Sequence, residues 1–263
     1  MIGLLREACQ ILRCPSPIGK VELTLAVAQQ WREGTLGLGT VALPPERPAR
    51  PDLPQVLPPR EMPRRKATGN MEKRVALIHA LAHIELNAID LAWDMIARFA
   101  TPSLPRTFCD DWVKVAKEEA VHFSLLDERL RALGCCYGDL PAHDGLWEAA
   151  ALTAGDVLAR LAIVPLALEA RGLDVTPATI EDLRQAGDNQ SASILKVIYL
   201  DEIGHVAVGQ RWFHFFCERE KAEPVRRWHE LMARYFRGTP KGPFNGPARE
   251  QAGFGVEYWG KYA

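Results

Sequence analysis

The chain has 263 residues, a formal net charge of −1, and 25% charged against 48% hydrophobic residues. That length can bury a full core, as one domain or as one domain with an extension. The near-neutral balance argues against nucleic acid as a partner. No apolar run reaches the roughly 20 residues of a membrane span. The start of the chain lacks the basic-then-apolar order of a signal peptide.

In chain order, residues 3–13 and about 21–33 predict two amphipathic helices, separated by Cys14-Pro15-Ser16-Pro17. In the second, Val21, Leu25, Ala28 and Trp31 recur at helical spacing. Between Leu43 and Met62 come Pro44, Pro45, Pro48, Pro51, Pro54, Pro58 and Pro59, so this stretch must run extended. The interleaved Leu53, Val56 and Leu57 favour a strap laid along the protein over a free linker. Arg60, Arg64, Arg65 and Lys66 read as a solvated basic turn.

Asn70 is a suitable cap for a long helix to about Phe99. A second long helix is expected from about Thr107 to Leu133, stopped by Gly134. A loop from Tyr137 to Gly145 follows, with Asp144 as cap of a third helix ending near Arg171 at Gly172. Pro165 should bend that helix four residues before Glu169. Thr176-Pro177 opens a short extra helix to about Ala186. Two more helices are expected, at about Asn189–Glu218 and Pro224–Phe236. The turn-rich tail from Thr239 leads to Phe254, Tyr258 and Trp259, which suggest an ordered cover. No strand pattern is present. The expected organisation is an N-terminal helical extension and strap over 1–66, a four-helix core over 67–222, and a C-terminal helix and tail over 223–263. Cys9, Cys14, Cys109, Cys135, Cys136 and Cys217 form no C-x-x-C pair, so reduced thiols in a cytoplasmic protein are the simplest reading.

Two short stretches carry chemistry. Glu118-Glu119-Ala120-Val121-His122 and Asp201-Glu202-Ile203-Gly204-His205 each read acidic-Glu-x-x-His. Residues three apart on a helix lie about 60° apart around the axis, so such a Glu and His can reach one metal from one helix. Glu85 and Glu169 sit in apolar helical surroundings, where an unpaired carboxylate is costly. Glu85 precedes Glu119 by 34 positions and Glu169 precedes Glu202 by 33. A helical hairpin returns to the same height after about that length. One E-x-x-H is more often a surface Glu and His; the six residues Glu85, Glu119, His122, Glu169, Glu202 and His205 in two matched hairpins fit the dinuclear carboxylate site of a ferritin-like four-helix bundle. Two metal ions are expected there, iron first, with manganese or a mixed iron–manganese pair as alternatives. Glu119 and Glu202 are the expected bridges, and Glu85 and Glu169 the terminal ligands. Asp201 and Glu118 are candidates to accept a hydrogen bond from a ligand histidine, Asp201 from His122 and Glu118 from His205. Surface ion pairs are the competing reading for both. His79, His83, His143, His214 and His229 are not expected to ligate.

Larger blocks add a resemblance. His79 to Asp94, Lys117 to Phe123, Tyr137 to Trp147, Glu169 to Pro177 and Asp201 to Val206 together resemble the ferritin-like "domain of unknown function" family four-five-five, over nearly the whole chain. The resemblance implies a ferritin-like fold and a di-iron site, and no substrate. At the level of fold alone the core is similar to a bacterial tRNA hydroxylase and to phenylacetyl-CoA oxygenase subunits, an analogy of little weight. The expected function is an oxygen-activating oxidase or monooxygenase acting with O2 on a small-molecule substrate, its electron donor unspecified. The alternative is a non-catalytic, iron-handling ferritin-like protein, although the terminal additions favour a monomer or small oligomer over a cage. A rubrerythrin-like role lacks its usual C-x-x-C pairs. In a ribonucleotide-reductase-like role the radical tyrosine would stand where this chain has Leu126.

Overall fold

A computed structural model describes residues 3–40, 42–63 and 65–263, so Arg64 of the expected basic turn lies outside the described residues. Among the described residues the protein is all-α. The nearest thing to a strand is an isolated parallel bridge between Val56 and Ala142. The chain divides into two compact units, 1–147 and 148–263.

Unit 1 is built on four helices: α1 (Leu4–Arg13), α2 (Pro17–Arg32), α3 (Met71–Phe99) and α4 (Arg106–Ala132). α3 pairs along α4, while α1 packs on α3 and α2 on α4. α3 starts where expected, with the Asn70 side chain accepting from the Lys73 amide. By length and composition α3 could cross a membrane, but 78% of its most apolar window is buried inside the protein, as in a core helix. α2 begins four residues earlier than the sequence suggests. Ser16 caps it through the Gly19 amide and Pro17 takes the first turn, where a missing N–H costs nothing. Its inner face also differs, because Leu25 is exposed while Lys20 and Thr24 are fully buried. Polar partners explain that choice. Lys20 Nζ lies 2.5 Å from Asp90 Oδ1, Arg50 closes on the other Asp90 oxygen at 2.9 Å, and Thr24 accepts from the Trp93 indole.

The proline-rich stretch is a strap, but Leu53 and Val56 do not hold it, since both are exposed. Backbone bonds hold it: Ala49 N to Leu12 O, Leu57 N to Ala142 O, and Ala142 N to Gln55 O. Arg98 donates to Pro45 O at 2.6 Å and Arg50 to Asn87 Oδ1 at 2.6 Å. A chain this rich in proline has few donors of its own, and its carbonyls attract arginines from the helices.

The expected third helix is three pieces: α5 (Gly145–Leu152), α6 (Val157–Ile163) and a wide π turn (Val164–Glu169), which leads into α7 (Ala170–Gln185). The break after α5 is sealed by Arg160, buried, which donates to Ala150 O at 2.6 Å and Thr153 Oγ1 at 3.0 Å. Asp156 caps α6. Pro165 cannot donate the usual i→i−4 bond, and here the helix widens into a π turn.

Gly172 does not end a helix and Pro177 does not begin one; α7 runs through both. Pro177 leaves the Leu173 carbonyl without its helical donor, and Asn245 Nδ2 from the tail supplies one at 3.0 Å. The long α8 (Asn189–Glu220), capped by Asp188, packs on α7 and on the π turn. α9 (Pro224–Tyr235), α10 (Gly246–Gln251) and α11 (Val256–Trp259) follow. The tail is an ordered cover within unit 2, with Phe254 and Tyr258 buried. Arg249 fixes it, gripping Asp174 at 2.7 and 2.8 Å under the rings of Phe244, Phe254 and Trp259.

Candidate metal centre

Unit 1 brings Glu85, Glu119 and His122 together. Glu85 stands at the middle of α3, and Glu119 and His122 sit one turn apart on α4. One ligand atom from each lies within 4.8 Å of the others. His122 Nδ1 faces Glu119 Oε2 at 3.2 Å and Glu85 Oε2 at 3.3 Å. All three side chains are buried, with relative exposures of 3%, 1% and 0%.

Burial of this group is electrostatically costly. Burial, then the neighbouring charge of Glu119, pushes Glu85 well above the ordinary carboxylate range. Burial alone would lower His122, but hydrogen bonds and charge from Glu119 and Glu85 outweigh it and raise the imidazole to about 11. Two carboxylates and one imidazole, dry and within one ion's reach, suit a first-row divalent metal. A cation there would satisfy both carboxylates and displace the proton from His122.

Unit 2 carries the matching residues. Glu202 and His205 share one face of α8, with Glu202 Oε2 to His205 Nδ1 at 3.7 Å. His205 is buried and Glu202 half-buried. Glu169 is the last residue of the π turn and is also half-buried. The π turn is seated against α8 at Gly209, where a Cβ would come within 2.6 Å of Pro165 Cβ. Asp201 is half-buried, as is Glu118, which pairs with Lys114 at 3.6 Å.

The remaining histidines have other partners. His79 accepts from the Gly138 amide at 2.9 Å and is lowered to about 4 by burial, against the charge of Asp139. His83 Nδ1 meets the Tyr137 hydroxyl at 2.8 Å, and burial, then the charge of Arg50, holds its pKa near 3. From the sequence Tyr137 opens a loop and has no assigned role. In the structure it stacks on His79 and His83 and meets Phe123, the neighbour of His122, edge-on. The signal was present in the sequence: His79 and His83 are four apart, and a stacked ring is a natural occupant of that face. His143 accepts from the Gly145 amide, His214 bonds Tyr258 at 2.6 Å, and His229 packs on Trp228. The cysteines are free, and burial raises Cys109 and Cys217 to about 12.

Comparison with known proteins agrees with the span of these features. A protein from Haemophilus influenzae described as uncharacterized is 42% identical over 211 residues, covering 78% of this chain and 73% of its own length. No solved structure matches the chain. The family described as "Protein of unknown function (DUF455)" matches residues 13–259, which include all six metal-ligand candidates; the chain belongs to that family.

Proposed function

We propose that Glu85, Glu119, His122, Glu169, Glu202 and His205 hold two metal ions, iron first and manganese or a mixed pair as alternatives. On this reading the core is a ferritin-like four-helix bundle, and the protein is an oxygen-activating oxidase or monooxygenase of a small molecule. The observation that carries the proposal is the buried Glu85–Glu119–His122 cluster, whose Glu-x-x-His spacing recurs at Glu202 and His205. A metal pair, when bound, supplies the electron transfers that O2 chemistry requires.

The chain's own groups have separable tasks. Glu85, Glu119, Glu169 and Glu202 would hold the ions through their carboxylates, and His122 and His205 through a ring nitrogen. The dry surroundings of Glu85 and His122 exclude water and keep the charges of the site strongly felt. Asp201 and Glu118 would accept from the second ring nitrogens of His122 and His205, fixing each imidazole tautomer.

Elemental analysis of protein purified without chelator, with Mössbauer or EPR spectroscopy, tests the proposal. Two ions per chain, and loss of at least one in Glu202→Ala and in His205→Ala, are expected. Retention of both ions in both variants would sink the ligand assignment. Metal uptake with no O2 consumption under any small-molecule reductant would leave the iron-handling alternative instead. Asp201→Asn should weaken metal binding about 10–100-fold; unchanged metal content would remove Asp201 from the site.

A further inference from the structure

On the outer side of α4 lies a second feature, independent of the metal centre. α2 contributes Ala28, Trp31 and Arg32, and α4 contributes Arg106, Asp110, Val113, Lys114 and Lys117, to a groove of about 400 Å³. The spacings explain it. Residues 28, 31 and 32 fall on one stripe of α2, and 106, 110, 113, 114 and 117 on one stripe of α4. Lys117 lies about 160° around α4 from Glu119, so the groove and the metal ligands occupy opposite faces of one helix.

Charge is concentrated here. Arg32, Arg106, Lys114 and Lys117 line the groove with one acidic residue, Asp110, and Glu118 pairs with Lys114 from outside the lining, in a chain whose formal net charge is −1. Asp110 is already committed: it accepts from the Trp31 indole at 2.7 Å and lies 3.4 Å from Arg106 Nε. Arg106 is oriented by that carboxylate, by the Trp31 carbonyl at 3.0 Å, and by the Trp31 ring 3.9 Å beneath its guanidinium. Lys114 leans on Glu118 at 3.6 Å. Among the described residues no ion pair involves Arg32 or Lys117. A volume of this order is that of a small-molecule site. The floor of Ala28, Trp31 and Val113 is apolar.

We propose that this groove binds a small molecule carrying phosphate groups on a flat, apolar body, a ligand of the nucleotide class. The phosphates meet Arg32 and Lys117, with Lys114 beside them. The body lies over the floor and against Arg106, whose fixed guanidinium plane offers a stacking surface. Four cations in so short a cleft match a di- or triphosphate, whereas a nucleic-acid strand needs a longer basic track.

Calorimetric titration with ADP, inorganic pyrophosphate and adenosine, at about 50 mM salt, tests this on the full chain. ADP should bind best, and its binding should weaken as salt is raised. Arg32→Gln with Lys117→Gln should weaken ADP binding at least about tenfold. Both side chains are exposed, so folding is not at stake. The exposed Lys196→Gln, on α8, should leave binding unchanged. Prior treatment of the protein with EDTA should also leave it unchanged, which separates this groove from phosphate captured by bound metal. Absence of ADP binding at about 1 mM, equal binding to the double variant, or loss of binding after EDTA treatment overturns the proposal. Pyrophosphate or adenosine binding as tightly as ADP overturns it too, because one half of the ligand would then be idle.

Discussion

The two units carry the same order of residues on differently built supports. In unit 1, Glu85, Glu119 and His122 stand on two unbroken helices, with Glu119 and His122 closing to 3.2 Å in full burial. In unit 2, Glu169 ends a π turn, and Glu202 and His205 stand 3.7 Å apart with Glu202 side-chain exposure at 13% against 1% for Glu119. Unit 1 buries the Lys20–Asp90 ion pair between α2 and α3, whereas unit 2 relies on the seating of Pro165 at Gly209 and on the Arg249–Asp174 pair that fixes its tail. Unit 1 is the preformed half of the candidate set and unit 2 the more open one.

The contrast is broken most severely through Asp90. It sits between the fully buried Lys20 and Arg50. Asp90→Ala would strand the Lys20 ammonium, a loss of about 3–5 kcal/mol of stability. Lys20→Met with Asp90→Ala should recover most of it, because an apolar pair needs no compensation. Denaturant melts of the single and double variants check this; equal destabilisation by both would show that the pair does not act as a unit.

A second effect of similar origin depends on pH. Burial lowers His79 to about 4 from an ordinary value near 6.5, so the unfolded chain binds the proton more readily. Its contribution is therefore complete above pH 6.5 and is lost as pH falls through 4, amounting to roughly 3 kcal/mol. His79→Gln should flatten the stability profile in that window. An unchanged slope would place the acid sensitivity elsewhere.

Which parts of this were legible beforehand follows from the physics of each signal. α3, α4 and α8 were readable because long periodic segments with Asn70, Gly134 and Asn189 at their ends leave little choice. The meeting of Glu85 with Glu119 and His122 was readable because spacing on a helix is geometry. Two features were not. Pro177 and Gly172 look like helix punctuation, yet α7 continues because Asn245, 72 positions beyond Leu173, supplies the missing donor. The interleaved Leu53, Val56 and Leu57 point to a strap, but Leu53 and Val56 are exposed and arginine side chains and backbone amides hold it. In both cases the deciding partner is distant in sequence, so no local pattern could report it.

Smaller changes sharpen the comparison. Gly209→Ala would press a methyl group into the Pro165 ring, with the nearest approach at 2.6 Å. A proline ring cannot rotate aside, so the π turn must move and carry Glu169 with it. Overpacking of this kind costs about 1–3 kcal/mol. Metal affinity should fall together with stability. A variant that kept wild-type metal affinity would show that the seating of the π turn does not position Glu169.

The mildest test comes from the opposite end of the support. Asn70 caps α3 through the Lys73 amide at 3.2 Å, and Glu85 lies 15 residues further on. At about 1.5 Å per residue the cap is some 22 Å from Glu85. Asn70→Ala removes one capping bond and should cost about 1 kcal/mol. Fraying is confined to the first turn, and beyond it α3 is held by packing on α1 and α4 and by the Asp90 ion pairs. Stability should therefore fall slightly while metal affinity stays at the wild-type value, the reverse of what a rigid-support argument would allow if α3 were only marginally held. Measured side by side with Gly209→Ala, a drop in metal affinity for Asn70→Ala as well would mean that unit 1 is not the preformed half.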